Sequence, residues 1–285
     1  MPYSFPRRNN MDKVYDKCCG IDVHKKLIVA CFRSGRENEV REFGATTSEL
    51  LRLAEWLSEG GCEMSAMEST GSYWKPLYNV LEASDLPAMV VNARHMKAVP
   101  GRKTDVKDAE WIADLLQHGL LQASYIPDKG QRELRELVGY RKSLVAERTR
   151  ELNRLQKMLE GGNIKLSGTV ADINGKSARR ILNLIVDGKA FTSDIYDEMY
   201  ASREIAHNLK ATKAQIIEDL NGVLSPLQRR MMKELLKHLD ELNEHIRNLD
   251  DEIDNFMTPD EKDCAERIQT ITGIGRTSAQ EIISI

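Results

Sequence analysis

Four acidic side chains mark the chemistry open to this chain. Asp22 stands near the end of the apolar run "CCGIDV" and is followed by His24-Lys25-Lys26; Glu68 closes "MSAME"; Asp105 and Asp108 sit three apart in "GRKTDVKDAEWIADLL". An ionised carboxylate resists leaving water unless a partner or a cation compensates it. Four grouped together repel one another unless cations sit among them. A pair of Mg²⁺ ions about 4 Å apart would neutralise the cluster and clamp the attacking and leaving oxygens of a phosphodiester. Each residue also has a plainer reading. Asp22 could simply end a strand, Glu68 could lie on a surface loop, and Asp105 and Asp108 could complement the dipole of a helix's first turn.

The elements that must position these groups follow from hydrophobic periodicity and turn chemistry. Strand-like runs cover Cys18–Val23, Leu27–Arg33 and Glu39–Ala45, with the turn-prone "RSGREN" between the second and third. "TTSELLRLAEWLSEGG" predicts a helix with Thr46 as its cap, Glu49 completing a capping box and Gly60-Gly61 as its stop. A fourth strand, Glu63–Met67, ends at Glu68. "SYWKPLYNVLEAS" predicts a short helix with Pro76 in its first turn, and "LPAMVVN" a fifth strand. After the basic loop "ARHMKAVPGRK", Thr104 can cap a helix running from Asp105 to about His118. The order β-β-β-α-β-α-β-α is the connectivity of the ribonuclease-H-like α/β fold, a mixed sheet with flanking helices. Strands one and four are neighbours there, so Asp22 and Glu68 meet at one end of the sheet. Asp105 and Asp108, three apart, share a helix face.

From Gln131 onward the pattern becomes helical. Val138, Val145, Leu152 and Leu159 recur every seventh residue, with a companion line Leu134, Arg141, Arg148, Leu155 in which two seam positions are arginine. Met232, Leu239, Ile246 and Ile253 alternate with Leu235, Leu242, Leu249 and Phe256, a sustained heptad pattern. The partner of this coiled-coil stripe is either the 131–160 helix of the same chain or a second subunit. The expected organisation is a disordered tail at 1–13, a catalytic domain at 14–128, a helical coiled-coil region at 129–260 and the start of a C-terminal domain at 261–285.

Bulk properties narrow the setting. A net charge of −3 gives no overall nucleic-acid signature, so any basic surface must be local. The five cysteines show no Cys-x-x-Cys spacing and predict reduced thiols. No apolar run approaches the roughly 18 residues needed to span a bilayer. Residues 1–10 lack the apolar core of a signal peptide, so the expected location is cytoplasmic, with no membrane partner.

"GIDVHKK", "AMESTGSYWKPLYNVLE", "VVNARHMKAVPGRKTDVKDAEWIADLL" and "IQTITGIGRTSAQEII" together resemble the DEDD-type insertion-sequence transposases (the insertion sequence 110 family), relatives of the Piv/MooV DNA invertases. The resemblance implies a RuvC-like domain whose Asp, Glu, Asp and Asp are matched by Asp22, Glu68, Asp105 and Asp108, as catalytic and metal-binding residues. It implies DNA strand cleavage and exchange, Mg²⁺ dependence with Mn²⁺ as the alternative, and DNA as a partner. An element-encoded guide RNA and a homo-oligomer assembled through the helical region belong to the same expectation. Lys25, Lys26, Arg94, Lys97, Arg102, Lys103 and Lys107, with His95, surround the carboxylates in sequence and could hold phosphates, or could be ordinary solvated charge. Tyr73 and Trp74 could stack on bases, or Trp74 could be a core aromatic.

"ITGIGRTSAQEIISI" resembles the first half of a helix-hairpin-helix, in which the backbone N–H groups around Gly273 and Gly275 would face a phosphate. In the resembling family a further segment supplies a catalytic serine. No serine here stands in that motif: Ser278 and Ser284 are expected at helix positions. The chain is therefore expected to be truncated, with "AQEIISI" left without a partner segment and recombination impaired. The competing functions are a metal-dependent junction nuclease, which needs no serine, and a non-catalytic, oligomeric nucleic-acid-binding protein.

Overall fold

The computed structural model describes residues 13–69, 71–92, 108–206 and 211–285. The chain divides into two compact units, Met1–Ile126 and Pro127–Ile285. Of the tail expected at 1–13, only Lys13 lies within the described residues, and its ammonium donates to the carbonyl of Gly35.

The first unit is built on five strands: β1 Lys17–Val23, β2 Leu27–Ser34, β3 Glu37–Gly44, β4 Met64–Glu68 and β5 Ala88–Val91. Their order across the sheet is β3-β2-β1-β4-β5. The β1–β2 and β2–β3 pairs are antiparallel, while β1–β4 and β4–β5 are parallel. Three meandering strands with parallel strands added beside the first is the ribonuclease-H-like arrangement. Helices α1 (Thr47–Gly60), α2 (Trp74–Ala83) and α3 (Asp108–Gln117) flank it.

The period-two alternation of a strand sorts β1 between two cores. Cys19, Ile21 and Val23 join Ile28, Ala30, Leu53, Leu57, Leu77 and Leu81 on the face covered by α1 and α2. Cys18 joins Ala66, Val91, Ile112 and Leu116 on the α3 face, where Cys31, Ala109 and Ala113 also pack. All three thiols on these strands are buried and unpaired. Burial, which disfavours a thiolate, pushes Cys18 up to about 11.

The expected capping box of α1 does not form. Thr46 makes no side-chain cap bond; its hydroxyl lies 3.1 Å from that of Ser48. Glu49 instead accepts from the Gly44 N–H, at 3.4 Å, and from Arg52. The strand end directly before the helix offers the carboxylate a backbone donor, and that contact replaces the box. Gly61 does stop the helix, at φ +67, a left-handed conformation that glycine adopts without a Cβ penalty.

The second unit is helical: α4 Lys129–Gly161, α5 Leu166–Thr169, α6 Lys176–Val186, α7 Ser193–Ala201, α8 Lys213–Asp219, α9 Pro226–Phe256, α10 Pro259–Gln269 and α11 Arg276–Ile283. Helices α4 and α9 form an antiparallel hairpin within the chain. Met232, Leu239, Ile246 and Ile253 are all buried in it. Of the companion positions, Leu242 is buried, Leu235 and Leu249 are half-buried and Phe256 is 40% exposed, while Leu236 beside the line is buried. The two arginines of the α4 stripe form polar layers: Arg141 Nε donates to Asp250 at 2.5 Å, and Arg148 Nη1 to Asn243 at 3.3 Å. Within the chain, α4 packs along this stripe.

Between the arms of the hairpin, α5 to α8 fold into a small module. Ile164, Leu166, Ile181, Leu182, Phe191, Met199 and Ile216 build its core against Leu155, Leu159 and Met232 of the arms. Reciprocal capping boxes start α9 (Ser225 with Gln228) and α10 (Thr258 with Glu261), each with proline at the first helical position.

The C-terminal "AQEIISI" is covered in part: Ile282 and Ile285 stay 45% and 80% exposed, whereas the other apolar residues find a surface. Ala279 is fully buried and packs, with Ile283, against Leu134, Val138, Ile253 and Met257. Gln280 Nε2 donates to Asp254 at 2.8 Å, Arg276 pairs with the same carboxylate, and Arg135 donates to the Ser284 carbonyl at 2.8 Å. The hairpin, distant in sequence, supplies the covering surface.

Candidate functional site

The acidic residues are positioned by strand register and by one helix. In the parallel β1–β4 pair, Ile21 faces Met67, so the next residues along the two strands are Asp22 and Glu68. Neighbouring strands lie about 4.8 Å apart. Asp22 shares the alternation of Cys18 and Gly20 and therefore belongs to the α3 face of the sheet.

Helix α3 crosses that face antiparallel to β1. An ideal Cβ on Gly20 would stand 2.2 Å from the Ala113 nitrogen and 2.3 Å from the Ala109 oxygen, while further along α3 the Gln117 carbonyl accepts from Val14 N–H at 2.8 Å. This end of the helix thus lies beside the Asp22 end of the strand, and its first described residue is Asp108. Arg33 braces the far end. Its Nη1 donates to Asp114 at 2.6 Å and to Gln117 at 3.1 Å.

Asp22, Glu68 and Asp108 are each half-buried, so carboxylate oxygens remain reachable. His24 Nε2 lies 3.0 Å from Asp22 Oδ2, and the His24 N–H donates to the Leu27 carbonyl at 2.9 Å, closing the turn that exposes Lys25 and Lys26. Among the described residues, no group of three His, Cys, Asp or Glu side chains is gathered as a metal cluster. Asp105, the fourth carboxylate, lies outside the described residues, as do Arg94, His95, Lys97, Arg102, Lys103, Thr104 and Lys107. The chemistry open to the described part is binding of a hard cation by oxygen ligands at the carboxyl end of β1 and β4.

The remaining expected contacts separate. Trp74 packs on the α1–α2 core and meets Tyr78 edge-on at 5.8 Å, whereas Tyr73 is 45% exposed. Gly273 (φ +91) and Gly275, the N-cap of α11, lie in the α10–α11 turn of the second unit. Ser278 lies within α11, and Ser284 Oγ donates to the Glu281 carbonyl at 2.9 Å.

Two positioning residues carried only faint sequence signals. Gly20 lets a helix backbone touch the strand, and an isolated glycine inside a strand marks such close approaches. Arg33 stands in the sequence only as the last residue of a strand-like run, and only the fold reveals the carboxylate opposite it.

An α/β sheet of ribonuclease-H-like order, with acidic residues at the ends of its first and fourth strands, defines the class. The family model described as Transposase, that of the DEDD enzymes of the insertion sequence 110 type, matches residues 19–164, more than half of the chain. The chain belongs to this DEDD transposase family. A curated relative, "Putative transposase y4qE" of Sinorhizobium fredii (strain NBRC 101917 / NGR234), is 31% identical over 132 residues, which is 44% of this chain and 34% of that protein. The match thus spans about a third of the relative's length. Among solved structures, T. thermophilus RuvC in complex with Holliday junction substrate overlaps 39% of this chain and 100% of its own, with a TM-score of 0.29 and 10% identity. A second Thermus thermophilus RuvC structure overlaps 38% of this chain and 99% of its own, with a TM-score of 0.28 and 12% identity. No helix among the described residues is long and apolar enough to cross a membrane.

Proposed function

We propose that the chain acts as a DNA-cleaving transposase subunit whose metal site is held by Asp22, Glu68, Asp105 and Asp108. The observation that carries this reading is the parallel β1–β4 pairing, which sets Asp22 and Glu68 side by side next to the first turn of α3. An all-carboxylate donor set suits Mg²⁺, with Mn²⁺ the nearest alternative. Bound there, divalent ions would stabilise charge on the entering and leaving oxygens of a phosphodiester. His24 holds one oxygen of Asp22 and so orients the other, while Lys25 and Lys26 offer exposed cations to the DNA backbone beside it. The reading extends to Arg94, Lys97, Arg102, Lys103 and Lys107 as further phosphate contacts, to the Gly273–Gly275 turn as a second one, and to an element-encoded guide RNA. It also includes self-association through the helical region, whose α9 keeps Leu227 and Met231 more than half exposed.

The test combines purified protein with element-end DNA, the matching RNA and Mg²⁺. Asp22→Asn and Glu68→Gln should each lower strand cleavage by about 100-fold or more while DNA binding persists. Cleavage at the parental rate in both variants sinks the carboxylate site. Cleavage of a synthetic four-way junction without any RNA would instead favour a junction nuclease.

A further inference from the structure

A second site lies far along the chain, in the module between the hairpin arms. A cavity of about 580 Å³ opens between the α6–α7 turn and the α8–α9 turn, a size typical of small-ligand sites. Its floor is apolar: Ile164, Ile185, Phe191 and Leu220 line it, each less than a tenth exposed. The charged residues that line it are both cationic, Lys189 and Arg229, and no aspartate or glutamate does. Neither cation has a side-chain ion pair among the described residues. Arg229 is led to the cavity by a glycine. An ideal Cβ on Gly188 (φ +74) would stand 2.8 Å from Arg229 Nη1, so the missing side chain is the room the guanidinium occupies.

The other polar groups fit an anion as well. Thr192 caps α7 by accepting from Ile195 N–H, and the positive end of this nine-residue helix opens onto the same lining through Thr192 and Ser193. Asn221 adds one side-chain amide, both donor and acceptor, at the exposed edge. A purely apolar ligand would leave the half-buried Arg229 unanswered beside the exposed Lys189, and inorganic phosphate would leave the apolar floor unused. The matching chemistry is an anion with a flat apolar body and hydrogen-bonding edges.

We propose that this cavity binds one nucleoside monophosphate unit, its phosphate on Arg229 and Lys189 and its base over the Phe191–Leu220 floor. A base inside a duplex is stacked on both faces and cannot enter a concave pocket without being unpaired. The unit is therefore either a free nucleotide or an unpaired nucleotide of a strand. This site is independent of the carboxylates of the first unit.

The full chain is titrated calorimetrically with 5′-mononucleotides, with inorganic phosphate, with a short single-stranded oligonucleotide and with its duplex. Saturable binding of mononucleotide or single strand is expected, at least about tenfold tighter than phosphate or duplex. Whichever of the two binds more tightly identifies the source. Arg229→Ala should weaken binding about tenfold or more. The exposed changes Lys189→Ala and Asn221→Asp should act in the same direction and keep the test sharp if Arg229→Ala disturbs folding. Asp22→Asn should leave this binding unchanged, which separates the site from the cleavage reading. Absence of saturable binding, phosphate or duplex binding as tightly as mononucleotide, or indifference to all three cavity variants overturns the proposal.

Discussion

Gly20 and Ala109 touch backbone to strand: a Cβ on the glycine would lie 2.3 Å from the Ala109 carbonyl oxygen. Ala109 follows Asp108, so the contact that seats α3 on the sheet also sets the height of that carboxylate above Asp22. A single absent methyl group thereby links packing to the candidate site.

Gly20→Ala should destabilise the protein by about 3 kcal/mol, at the upper end of overpacking effects, because backbone rather than a flexible side chain must yield. Urea unfolding measures this. A loss below about 0.5 kcal/mol would mean that α3 is not seated as described.

Removing divalent metal should lower the melting temperature of the parent protein, since a ligand that binds only the folded state stabilises it by about 2.7 kcal/mol at a hundred times its Kd. Asp22→Asn should abolish the Mg²⁺-dependent rise without lowering stability in EDTA. An equal rise in parent and variant would place the metal elsewhere.

Arg141 and Asp250 form a half-buried polar layer between the hairpin arms. Arg141→Ala should cost about 1–3 kcal/mol, since it leaves Asp250 without its partner. Replacing both residues with leucine should recover most of that loss or exceed it. A double variant no more stable than Arg141→Ala alone would show that the ion pair matters through more than desolvation.

Burial raises the thiols of Cys18 to about 11 and Cys62 to about 12, and lifts Cys19 and Cys31 as well. A folded-state pKa above the unfolded value of about 8.5 means that the folded chain holds its protons longer. The associated stability is complete below that value and declines as pH climbs from there towards 11. Unfolding free energy should therefore fall between pH 9 and pH 11 (about the unfolded-to-folded interval), and Cys18→Ala should flatten the slope. Exposed Cys264 should react with a thiol reagent at once, while Cys18, Cys19 and Cys31 wait for unfolding.

The strands and the helices of the first unit were legible because strand alternation, helix stops and turn residues are local signals. The meeting of β1 with β4 followed from the ribonuclease-H-like order they make; the short helices α5 to α8 were not read individually. The α1 cap was misread for a related reason. Thr46 and Glu49 have the right spacing, but the nearby Gly44 N–H competes for the carboxylate, and only the folded turn brings it within reach.

What the sequence determined by itself is therefore the kind and order of the elements and the placing of Asp22 and Glu68 at strand ends. The tertiary structure decided which surface fills each apolar stripe. A heptad pattern specifies an apolar face but not its owner; in the fold α4 of the same chain lies along α9, joined to it by the Arg141–Asp250 and Arg148–Asn243 layers. Ala279 and Ile283 found cover in part from Leu134 and Val138, more than a hundred positions away, and Gly20 found a helix. Local propensity is written in neighbouring residues; contact between distant ones depends on the closed fold, where shape and desolvation are set jointly.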